Sequence, residues 1–513
     1  MTPPAVIHPD RLRADASRVV ARLFLPGEGV ASTHSRAAQI VERVLGLPAT
    51  TISDLAHDLL DDFGSRHVGT RDLLHANAGA VGSRVQTAAP LTDDQSIVLG
   101  ATFTAEYAIE AAALCNPSAV EHPDQSGLQP GELRVALALR AIGEGHISSI
   151  EFTEAVIGPG DQWRFAPREA PVATATILPG RWHASRLRAA LEHEDQVSEL
   201  TSWVLDRLPA VFTGVDVEAA IAALPPQLLH HRDSGPALNS LRDMVSSAYI
   251  ARFDPATGLS QRVLLPAADE EHNGMEDARL VRFTADDGSI AYRATYTAYD
   301  GRDIAPRLIT TPDFVSFAIH RLSGPSARNK GMALFPRSVG GRHLALARTD
   351  GESISLASSA DGFLWSGDTV LHTPTEAWEM VQTGNCGSPI ETDRGWLVLT
   401  HGVGPFRVYS ISAILLDLDD PSHVLARSTE PILRPTGVDR NGYVPNVVYS
   451  CGGIVHDGRL WVPIGIGDAQ VGVFSTDLDT LLDSMQPTGS PYGADVVGAG
   501  GPGPHRTGLP ALG

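Results

Sequence analysis

The chain has 513 residues and a mass of 54.4 kDa, with 43% hydrophobic and 19% charged residues. It is therefore globular and long enough for two or three domains or one large repeat architecture. Its 60 acidic and 39 basic residues give a formal net charge of −21, which argues against nucleic acid or an anionic membrane surface as the main partner.

No signal-peptide pattern and no apolar run of membrane-spanning length is visible in the sequence. Its three cysteines, Cys115, Cys386 and Cys451, have no CxxC spacing and no histidine-rich surroundings. A disulfide scaffold and structural zinc are therefore not expected, and buried thiols in a reducing compartment are. We predict a cytoplasmic protein with no membrane association.

Residues 1–115 are predicted to form an N-terminal helical region. One stripe of apolar residues at helical spacing runs through 37–45, and a second runs through 52–63 with Thr51 as its N-cap. A third helical run covers about 92–115 and ends before an Asn-Pro pair.

After this region the sequence changes to short β-rich runs, and five of them share one form: a turn glycine, an apolar strand and a polar residue at the strand end. Their glycines are Gly131, Gly288, Gly341, Gly395 and Gly458. The last four follow one another at intervals of about 50 to 60 residues, which is typical of propeller blades. We predict a mainly β fold, a five-bladed β-propeller over 116–486, with a β-sandwich of coincidental spacing as the alternative.

Two further segments do not fit the repeat. Residues about 185–247 have a helical pattern, which we interpret as a helical insertion within or between the first two blades. Residues 487–513 are rich in Gly and Pro and are expected to form a flexible tail. The tail contains the glycines of a GxGxxG pattern, but it follows no strand and opens no helix, which excludes a phosphate-binding loop.

The polar residues at the ends of the five strands indicate a common site. They are Arg140, Tyr296, Arg348, His401 and Asp468. Propeller strands place such residues around one central funnel, so we expect these side chains to converge. Each of them alone is equally compatible with a structural role.

The densest motif is GMEDARLVRF, residues 274–283, where Glu276, Asp277 and Arg279 precede an apolar run. Strand alternation predicts that Asp277 and Arg279 share one face and that Glu276 takes the other. A plain ion pair between Asp277 and Arg279 is the structural interpretation. A neighbouring arginine lowers the pKa of a carboxyl group and burial raises it, so the sequence leaves the direction of the shift open.

A second motif, RNKGMALFPR at 328–337, contains Lys330, the only lysine of the chain. Arg348 follows this motif and His401 ends the next repeat. Together they predict a cationic corner in an acidic protein, which suits an oxyanion such as phosphate. The alternative is that Lys330, Arg348 and His401 are three unrelated surface residues. The single lysine argues against it, because this arginine-rich chain could equally well use arginine at a surface position.

Several motifs between 111 and 473, in matching order, resemble glycoside hydrolase family 130. They are CNPSAV (115–120), ALRAIGEGHISSI (138–150), EDAR (276–279), NKGMALFPRSVGGRHLALAR (329–348), GNCGSPIETDRGWLVLTHGV (384–403), LLDLDDPSHVLAR (415–427) and VPNVVYSCGG (444–453). The resemblance implies a five-bladed propeller and, in most members, an inverting phosphorylase acting on β-mannosides. The N-terminal helices and the insertion lie outside that family core. The N-terminal helices have three open roles: capping a propeller face, narrowing the acceptor side or mediating a homo-oligomer.

The resemblance also implies roles for individual residues. Asp277 falls on the position of the catalytic proton donor. Phosphate-binding positions fall on Lys330, Arg348 and His401. Sugar contacts are expected at Arg140, Glu276, Arg279, Tyr296 and Asp468. No metal and no organic cofactor is implied, and the expected partners are an oligosaccharide and inorganic phosphate as co-substrate.

Two positions depart from the family pattern: EDAR replaces EDPR, and Gln382 stands where phosphorylases often carry a lysine. One acid with three cationic or potentially cationic residues favours phosphorolysis to α-mannose 1-phosphate, because ionised phosphate needs no base. An inverting β-mannosidase is the nearest alternative, and Glu276, Asp361 and Glu391 are available as its base. A mannosyltransferase and a non-catalytic glycan-binding propeller are the others.

Overall fold

The structure of the protein is a computed structural model that describes residues 5–26, 36–85, 90–229 and 233–488. Strands dominate the described part, so the prediction of a mainly β fold is confirmed. The predicted flexible tail lies outside the described residues from 489 onward. Among the described helices, none combines the length and the apolar character needed to cross a bilayer.

The first part of the chain combines helices with short strands that the sequence did not indicate. Its elements are β1 (Val6–Ile7), β2 (Leu12–Arg13), β3 (Val19–Leu23), α1 (Arg36–Leu45), α2 (Ala49–Phe63), α3 (Thr70–Val85), α4 (Asp93–Thr102) and β4 (Thr104–Ala108). The two predicted helical stripes form α1 and α2. The predicted cap is wrong, because α2 already begins at Ala49 with Pro48 at its N-cap, which places Thr51 inside the first turn.

The prediction of one helix over about 92–115 is wrong in its second half. Helix α4 starts after Thr92, whose side chain accepts a hydrogen bond from the backbone N–H of Gln95, and it ends at Thr102. Residues 113–121 instead form a strand that pairs antiparallel with residues 135–142. The helix propensity of the alanines at 111–113 is a weak preference, and the cross-strand ladder overrides it.

The first group of long strands follows directly. It consists of β5 (Ala113–Glu121), β6 (Leu133–Ile142), β7 (Ser148–Gly158) and β8 (Gln162–Phe165). Each of these strands pairs antiparallel with the next in the chain. They therefore form a four-stranded meander, with the apolar run of β6 buried at its centre.

The segment predicted as a helical insertion begins after this meander. The elements from here to the next meander are β9 (Ala173–Thr174), β10 (Thr176–Pro179), β11 (Trp182–His183), α5 (Ala184–His193), α6 (Glu199–Leu205), β12 (Val211–Phe212), α7 (Gly214–Ala222), α8 (Pro226–Leu229), α9 (Ser234–Ser246), β13 (Tyr249–Arg252) and β14 (Arg262–Leu264). The helices pack around a core of their own, which includes Trp182, Leu187 and Leu241.

The remainder of the described chain is almost entirely strands. They are β15 (Gly274–Thr284), β16 (Ile290–Tyr299), β17 (Ile304–Thr311), β18 (Ser316–Arg321), β19 (Ala333–Leu334), β20 (His343–Ala347), β21 (Ile354–Ser359), β22 (Ser366–His372), β23 (Gln382–Asn385), β24 (Ile390–Thr392), β25 (Gly395–Val403), β26 (Tyr409–Leu416), β27 (Val424–Arg427), β28 (Val448–Tyr449), β29 (Ile454–His456), β30 (Arg459–Ile466), β31 (Gln470–Asp477) and, after α10 (Leu478–Ser484), β32 (Gln486–Pro487).

These strands form antiparallel meanders like the first one. Strands β15 to β18 join β5 to β8 and the short strands β9, β10, β13 and β14 in one twelve-stranded sheet, and β19 to β22 form a separate four-stranded sheet. Strands β23 to β27 take β32 as an edge strand, and β28 to β31 take β1 and β2. The five glycine-led runs predicted from the sequence are β6, β16, β20, β25 and β30, each flanked by paired strands on both sides.

The turn glycines before these strands have backbone angles that favour glycine. The φ angles are +82° at Gly131, +80° at Gly288, +71° at Gly341, +71° at Gly458 and +144° at Gly395. Residues with a Cβ atom rarely adopt such φ values, so glycine permits the tight turns that lead into these strands.

Candidate active site

Asp277 lies in an irregular part of β15. Its φ angle is +56°, which is unusual for a residue with a side chain, and the pairing of β15 with β16 shifts register between Glu276 and Arg279. This bulge breaks the strand alternation, so the prediction that Glu276 and Asp277 face opposite sides is wrong. Both carboxylates instead contact the guanidinium group of Arg140.

The two carboxylates belong to a network of close polar contacts. Asn116 Nδ2 donates a hydrogen bond of 2.6 Å to Asp277 Oδ1, and Arg140 Nη1 lies 3.3 Å from the same oxygen. Arg140 Nη2 donates to Glu276 Oε1 at 2.7 Å, and Lys330 Nζ donates to Glu276 Oε2 at 2.6 Å. Glu276 therefore connects the arginine of the first meander to the only lysine of the chain.

The pKa of Asp277 reflects two opposing effects. Burial of the side chain acts to raise it, whereas the positive charges of Arg140, Arg279 and Lys330 and the hydrogen bond from Asn116 act to lower it. The cations outweigh burial and hold the pKa of Asp277 at about 2. The carboxylate is therefore ionised at neutral pH in the unliganded site.

Arg279 is almost fully buried and acts on Asp277 without pairing with its carboxylate. Its Nη1 donates a hydrogen bond of 2.8 Å to the backbone carbonyl of Asp277. Its Nε donates to the carbonyl of Cys386 at 2.9 Å, and its Nη2 donates to the hydroxyl of Tyr449 at 2.9 Å. These three bonds fix the bulge that carries Asp277, so the simple Asp277–Arg279 ion pair is not formed.

Arg348 and His401 approach each other across Gly384. A Cβ atom on Gly384 would lie 2.6 Å from His401 Cε1 and 2.8 Å from Arg348 Nε, closer than real Cβ atoms come. A Cβ atom on Gly331, the residue after Lys330, would lie 2.9 Å from Arg348 Cδ. The two glycines therefore let the side chain of Arg348 pack between His401 and the backbone next to Lys330.

His401 contributes no positive charge to the predicted cationic corner at neutral pH. Burial and the nearby charges of Arg348 and Arg279 lower the pKa of His401 well below its usual value. Its ring stacks against Tyr409 at 5.9 Å and meets Tyr449 edge-on at 4.8 Å. It is therefore a neutral imidazole that offers one N–H donor.

Asp468 is a second carboxyl group in the electrostatic field of the site. It has a φ angle of +47° in the turn after β30. Burial, partly offset by Arg140 and reinforced by Asp277, raises the pKa of Asp468 to about 6. The pKa values of the two aspartates are thus pushed apart in opposite directions, which is typical of functional carboxyl groups.

Tyr296 is the one predicted strand-end residue that the structure does not bring to the site. Strand β16 continues to Tyr299, so Tyr296 is not at its end. The Tyr296 hydroxyl donates to Glu271, a buried carboxylate that also accepts from Tyr249 at 2.9 Å. Tyr299 takes the expected place, with its ring centroid 5.9 Å from Lys330 Nζ.

Several buried polar atoms around Asp277 have no hydrogen-bond partner among the residues that the structure describes. They are Asn116 Oδ1, Arg348 Nε, Asn385 Oδ1 and His401 Nδ1. Asn385 lies close to Lys330, because its Nδ2 donates a hydrogen bond of 2.8 Å to the carbonyl of Gly331, the next residue in the chain. Buried polar groups are normally paired, so their concentration in one place indicates a site built for a polar ligand.

Sequence reasoning gave no role to three residues of the site: Asn116, Tyr299 and Tyr449. Asn116 lies in the CNPSAV motif with a φ angle of +48°, beside the irregular pairing of β5 with β6. Its only signal in the sequence is the Asn-Pro pair at the start of a strand. Tyr449 lies in VPNVVYSCGG, a motif that supported the family resemblance but had no assigned chemistry.

Two carboxylates considered as a hydrolytic base lie elsewhere. Asp361 pairs with Arg186 at 3.2 Å, in the turn between β21 and β22. Glu391 pairs with Arg337 at 2.6 Å and faces Trp396, at the end of β25 opposite His401. Glu276, the third candidate, is engaged by Arg140 and Lys330. Within the described residues, no group of three His, Cys, Asp or Glu side chains is placed to hold a metal ion.

The chain has relatives among known proteins. The family model described as beta-1,4-mannooligosaccharide phosphorylase, for glycoside hydrolase family 130, matches residues 257–487. This range contains Asp277, Lys330, Arg348, His401 and Asp468.

Two relatives come from Thermoanaerobacter sp. (strain X514). A 1,2-beta-oligomannan phosphorylase is 35% identical over 222 residues, which are 42% of this chain and 72% of that protein. A beta-1,2-mannobiose phosphorylase is 33% identical over 215 residues, 41% of this chain and 69% of that protein. The solved beta-1,2-mannobiose phosphorylase from Listeria innocua, in complex with beta-1,2-mannobiose, is 20% identical with a TM-score of 0.42, and the match covers 74% of this chain and 93% of that one. On its sequence relatives, the chain belongs to glycoside hydrolase family 130.

Proposed function

We propose that the protein is an inverting glycoside phosphorylase that cleaves β-mannosides with inorganic phosphate and releases α-mannose 1-phosphate. The observation that carries the proposal is the convergence of one ionisable carboxyl group, Asp277, with Lys330, Arg348 and His401. The named phosphorylases among the relatives act on 1,2-beta-oligomannan, beta-1,2-mannobiose and beta-1,4-mannooligosaccharides, which supports β-mannosides as the substrate class.

Phosphate would take the place of both water and general base. Lys330, with an exposed fraction of 41%, supplies an ammonium group, and Arg348 supplies a planar guanidinium group. The neutral His401 supplies a hydrogen bond to a phosphate oxygen and no charge. A phosphate oxygen held there attacks the anomeric carbon, the bond from that carbon to the leaving oxygen breaks, and the configuration inverts.

Asp277 would donate the proton that the leaving oxygen takes up, in this family's manner through a sugar hydroxyl. In the unliganded site its pKa of about 2 keeps it ionised. One of the cations that keep it ionised, Lys330, is also a proposed phosphate ligand. Bound phosphate would offset the charge of Lys330 and add a negative charge near Asp277, which raises the pKa of Asp277 and favours its protonation when both substrates are present.

The scaffold that we propose for this chemistry is a closed five-bladed propeller formed by the five meanders. Contacts between neighbouring meanders support closure: β5 contacts both β15 and β30, and the remaining neighbours meet at β16–β19, β21–β23 and β26–β28. On this proposal the catalytic domain covers about 116–486, with the insertion at about 185–247 and the helical region before it.

A β-mannosidase is the second candidate, because the site holds a second carboxyl group that hydrolysis would require. The pKa of Asp468 is raised to about 6, so this group is largely ionised at neutral pH and would serve as the base that activates water. Gln382 also favours hydrolysis, since a neutral residue there provides no charge for phosphate.

One assay separates these functions. The protein is incubated with β-1,2- and β-1,4-mannobiose, each with and without inorganic phosphate, and the products are separated by anion-exchange chromatography. We expect phosphate-dependent formation of mannose 1-phosphate and free mannose in equal amounts. Release of two mannose molecules without phosphate would establish the hydrolase instead.

An Asp468→Asn variant sharpens the distinction between the two reactions. A hydrolase that uses Asp468 as its base loses turnover by about 10²–10⁴-fold, as expected for loss of general base catalysis. A phosphorylase retains its phosphate dependence, and its KM for the mannoside rises because a sugar contact is lost. Failure to turn over either disaccharide would leave a mannosyltransferase or a glycan-binding propeller, and a titration with mannobiose by calorimetry distinguishes these two.

A further inference from the structure

A second cavity of about 410 Å³ lies between the helical insertion and the β meanders. The insertion contributes Arg181, Trp182 and Arg186 to its wall, and the meanders contribute Arg321, Arg342 and Phe363. Its volume is within the range of pockets that bind small molecules. It shares no residue with the candidate active site.

The register of β20 shows that this cavity and the active site lie at opposite ends of the strand. His343 at the start of β20 pairs with Ser359, and Ala347 at its end pairs with Ser355. Arg348 follows Ala347, whereas Phe363 lies in the turn that follows Ser359. The two residues are therefore at opposite ends of the strand, and the cavity is not an extension of the active site.

The wall of the cavity is cationic although the protein carries a net charge of −21. Two of its four arginines are compensated: Arg186 pairs with Asp361 at 3.2 Å, and Arg321 pairs with Glu194 and Glu270. The guanidinium group of Arg342 donates to the hydroxyl of Ser358, at 3.0 Å from Nη2 and 3.3 Å from Nε.

Among the residues that the structure describes, Arg181 and Arg342 form no ion pair. Two guanidinium groups without a carboxylate partner, facing one cavity, favour an anionic ligand.

The first turn of helix α5 adds backbone donors to the same wall. This ten-residue helix begins at Ala184, and its N-cap residue His183 makes no side-chain capping bond. Ser185 and Arg186, the second and third residues of the helix, line the cavity. Uncapped N–H groups at a helix N-terminus bind anions, and here they lie beside the arginines.

The remaining wall contains aromatic residues and one carboxylate, that of Asp361, which pairs with Arg186. Trp182 and Phe363 line it, and the guanidinium carbon of Arg186 lies 3.5 Å from the centroid of the Phe363 ring. His320 meets the same ring edge-on at 5.4 Å. Burial and the charges of Arg186 and Arg307 lower the pKa of His320 to about 4, so it is neutral at pH 7. The cavity thus combines a cationic part with an apolar part and is larger than a bare phosphate ion needs.

We propose that this cavity is a binding site for a phosphorylated ligand of sugar size, with its phosphate at Arg181, Arg342 and the first turn of α5 and its ring against Phe363 and Trp182. The proposal does not depend on the reaction catalysed at Asp277, because no residue is shared. The insertion that forms half of the cavity lies outside the region matched by the family model, which covers residues 257–487.

The test is a titration with mannose 6-phosphate, followed by isothermal calorimetry at low ionic strength. A Lys330→Gln background weakens anion binding at the active site, so the signal reports on the cavity. In this background, Arg181→Gln and Arg342→Gln are compared with Arg188→Gln. Arg188 lies on the same helix α5, pairs with Asp206 at 2.7 Å and does not line the cavity. Arg181 and Arg342 are exposed, so their loss does not threaten folding.

We expect saturable binding with one site per chain, an affinity at least about tenfold lower in each of Arg181→Gln and Arg342→Gln, and an unchanged affinity in Arg188→Gln. Inorganic phosphate and mannose, titrated separately, should each bind more weakly than the phosphorylated sugar. Absence of saturable binding, or equal affinities in all variants, would overturn the proposal. Equal affinities for inorganic phosphate and mannose 6-phosphate would overturn its sugar part. Arg181→Gln made alone, with Lys330 intact, should retain normal phosphorolysis, which keeps this test separate from that of the catalytic function.

Discussion

Two buried ion clusters in this protein have the same composition, two carboxylates and two cations, and opposite properties. The active-site ion cluster consists of Arg140, Glu276, Asp277 and Lys330. The N-terminal ion cluster consists of Arg18, Glu110, Glu151 and Arg168. In the second cluster Arg18 lies 2.9 Å from Glu110 and 2.7 Å from Glu151, joining the segment after β2 to strand β7.

One carboxyl group in each cluster, Glu151 and Asp277, has a shifted pKa, and the two shifts have opposite directions. Burial and the neighbouring carboxylate of Glu110, against the attraction of Arg18, raise the pKa of Glu151 to about 8. Burial acts on Asp277 in the same direction, but three cations lower its pKa to about 2. The decisive difference is the neighbour, because a second carboxylate favours the neutral form and an excess of cations favours the charged one.

Exposure separates the clusters further. The side chains of Arg18, Glu110 and Glu151 are 4%, 0% and 0% exposed, whereas Lys330 is 41% exposed. The side chains of the N-terminal ion cluster are inaccessible to a ligand, so we assign this cluster a role in stability. The comparison teaches that an ion pair alone does not mark a functional site. An ion cluster open to solvent and close to several unpartnered polar atoms is the better indicator.

The largest expected effect is that of Asp277→Asn on turnover. Removing the proton donor should lower kcat by about 10²–10⁴-fold, as expected for loss of general acid catalysis, while the melting temperature changes little. The measurement is the initial rate of mannose 1-phosphate formation. Glu391→Gln is the matched control and should keep normal turnover. The carboxylate of Glu391 lies on β24, opposite Trp396 at the start of β25 and away from His401. Normal turnover in Asp277→Asn would exclude Asp277 as the acid.

The N-terminal ion cluster should respond in stability and not in catalysis. Arg18→Met leaves the buried Glu110 and Glu151 side chains without their shared cation and should reduce the free energy of unfolding by about 3–5 kcal/mol. Arg434→Met is the control, because Arg434 is 48% exposed and pairs with Glu430 at 3.7 Å, so its loss should cost less than about 1 kcal/mol. Urea unfolding followed by tryptophan fluorescence measures both. Equal stabilities of the two variants would show that the sealed cluster does not support the fold.

Lys330→Gln should produce the reverse result, a loss of activity without a loss of stability. A charged hydrogen bond to phosphate is worth about 1.5–3 kcal/mol, so kcat/KM for phosphate should fall about 10- to 100-fold. Arg337→Gln, a cation 39% exposed and paired with Glu391, is the control and should leave the KM for phosphate unchanged. If Lys330→Gln changes the melting temperature and not the KM, Lys330 belongs with the structural cations.

The smallest effect is expected from restoring a charge. Gln382→Lys places a cation at the start of β23, beside the strand that carries His401, and should lower the KM for phosphate by up to about tenfold, with Gln382→Met as the uncharged control. Kinetics at fixed mannobiose and variable phosphate measure it. Identical KM values for the lysine and methionine variants would show that position 382 does not face the phosphate.

The repeat and its strands could be predicted from the sequence because they depend on local signals. Turn glycines and apolar runs recur at a near-constant interval, and each of the five became an inner strand of a meander. The pairing of β1 and β2 with β31 could not be predicted, because two-residue strands carry no periodicity. The end of α4 could not be predicted for a related reason. The conformation of residues 113–121 depends on pairing with residues 135–142, which a local helical pattern does not reveal.

Most members of the candidate site could be predicted from their positions near strand ends, but its geometry could not. Arg140 and His401 lie near the ends of β6 and β25, and Arg348 and Asp468 follow β20 and β30. The bulge at Asp277 escaped prediction, since it arises from contacts that Arg279 makes with Cys386 and Tyr449, which are distant in sequence. The neutral state of His401 could not be predicted either, because it results mainly from burial, which depends on the assembled fold.

The attachment of β1 and β2 to β31 sets the order in which the last sheet can be completed. His8 Nε2 lies 3.0 Å from Ser475 Oγ, although the two residues are 467 positions apart. During synthesis, this leading segment leaves the ribosome long before its partner strand exists. The final sheet therefore acquires its outer edge only after translation has passed residue 477, so the assembly step with the largest loop to close comes late.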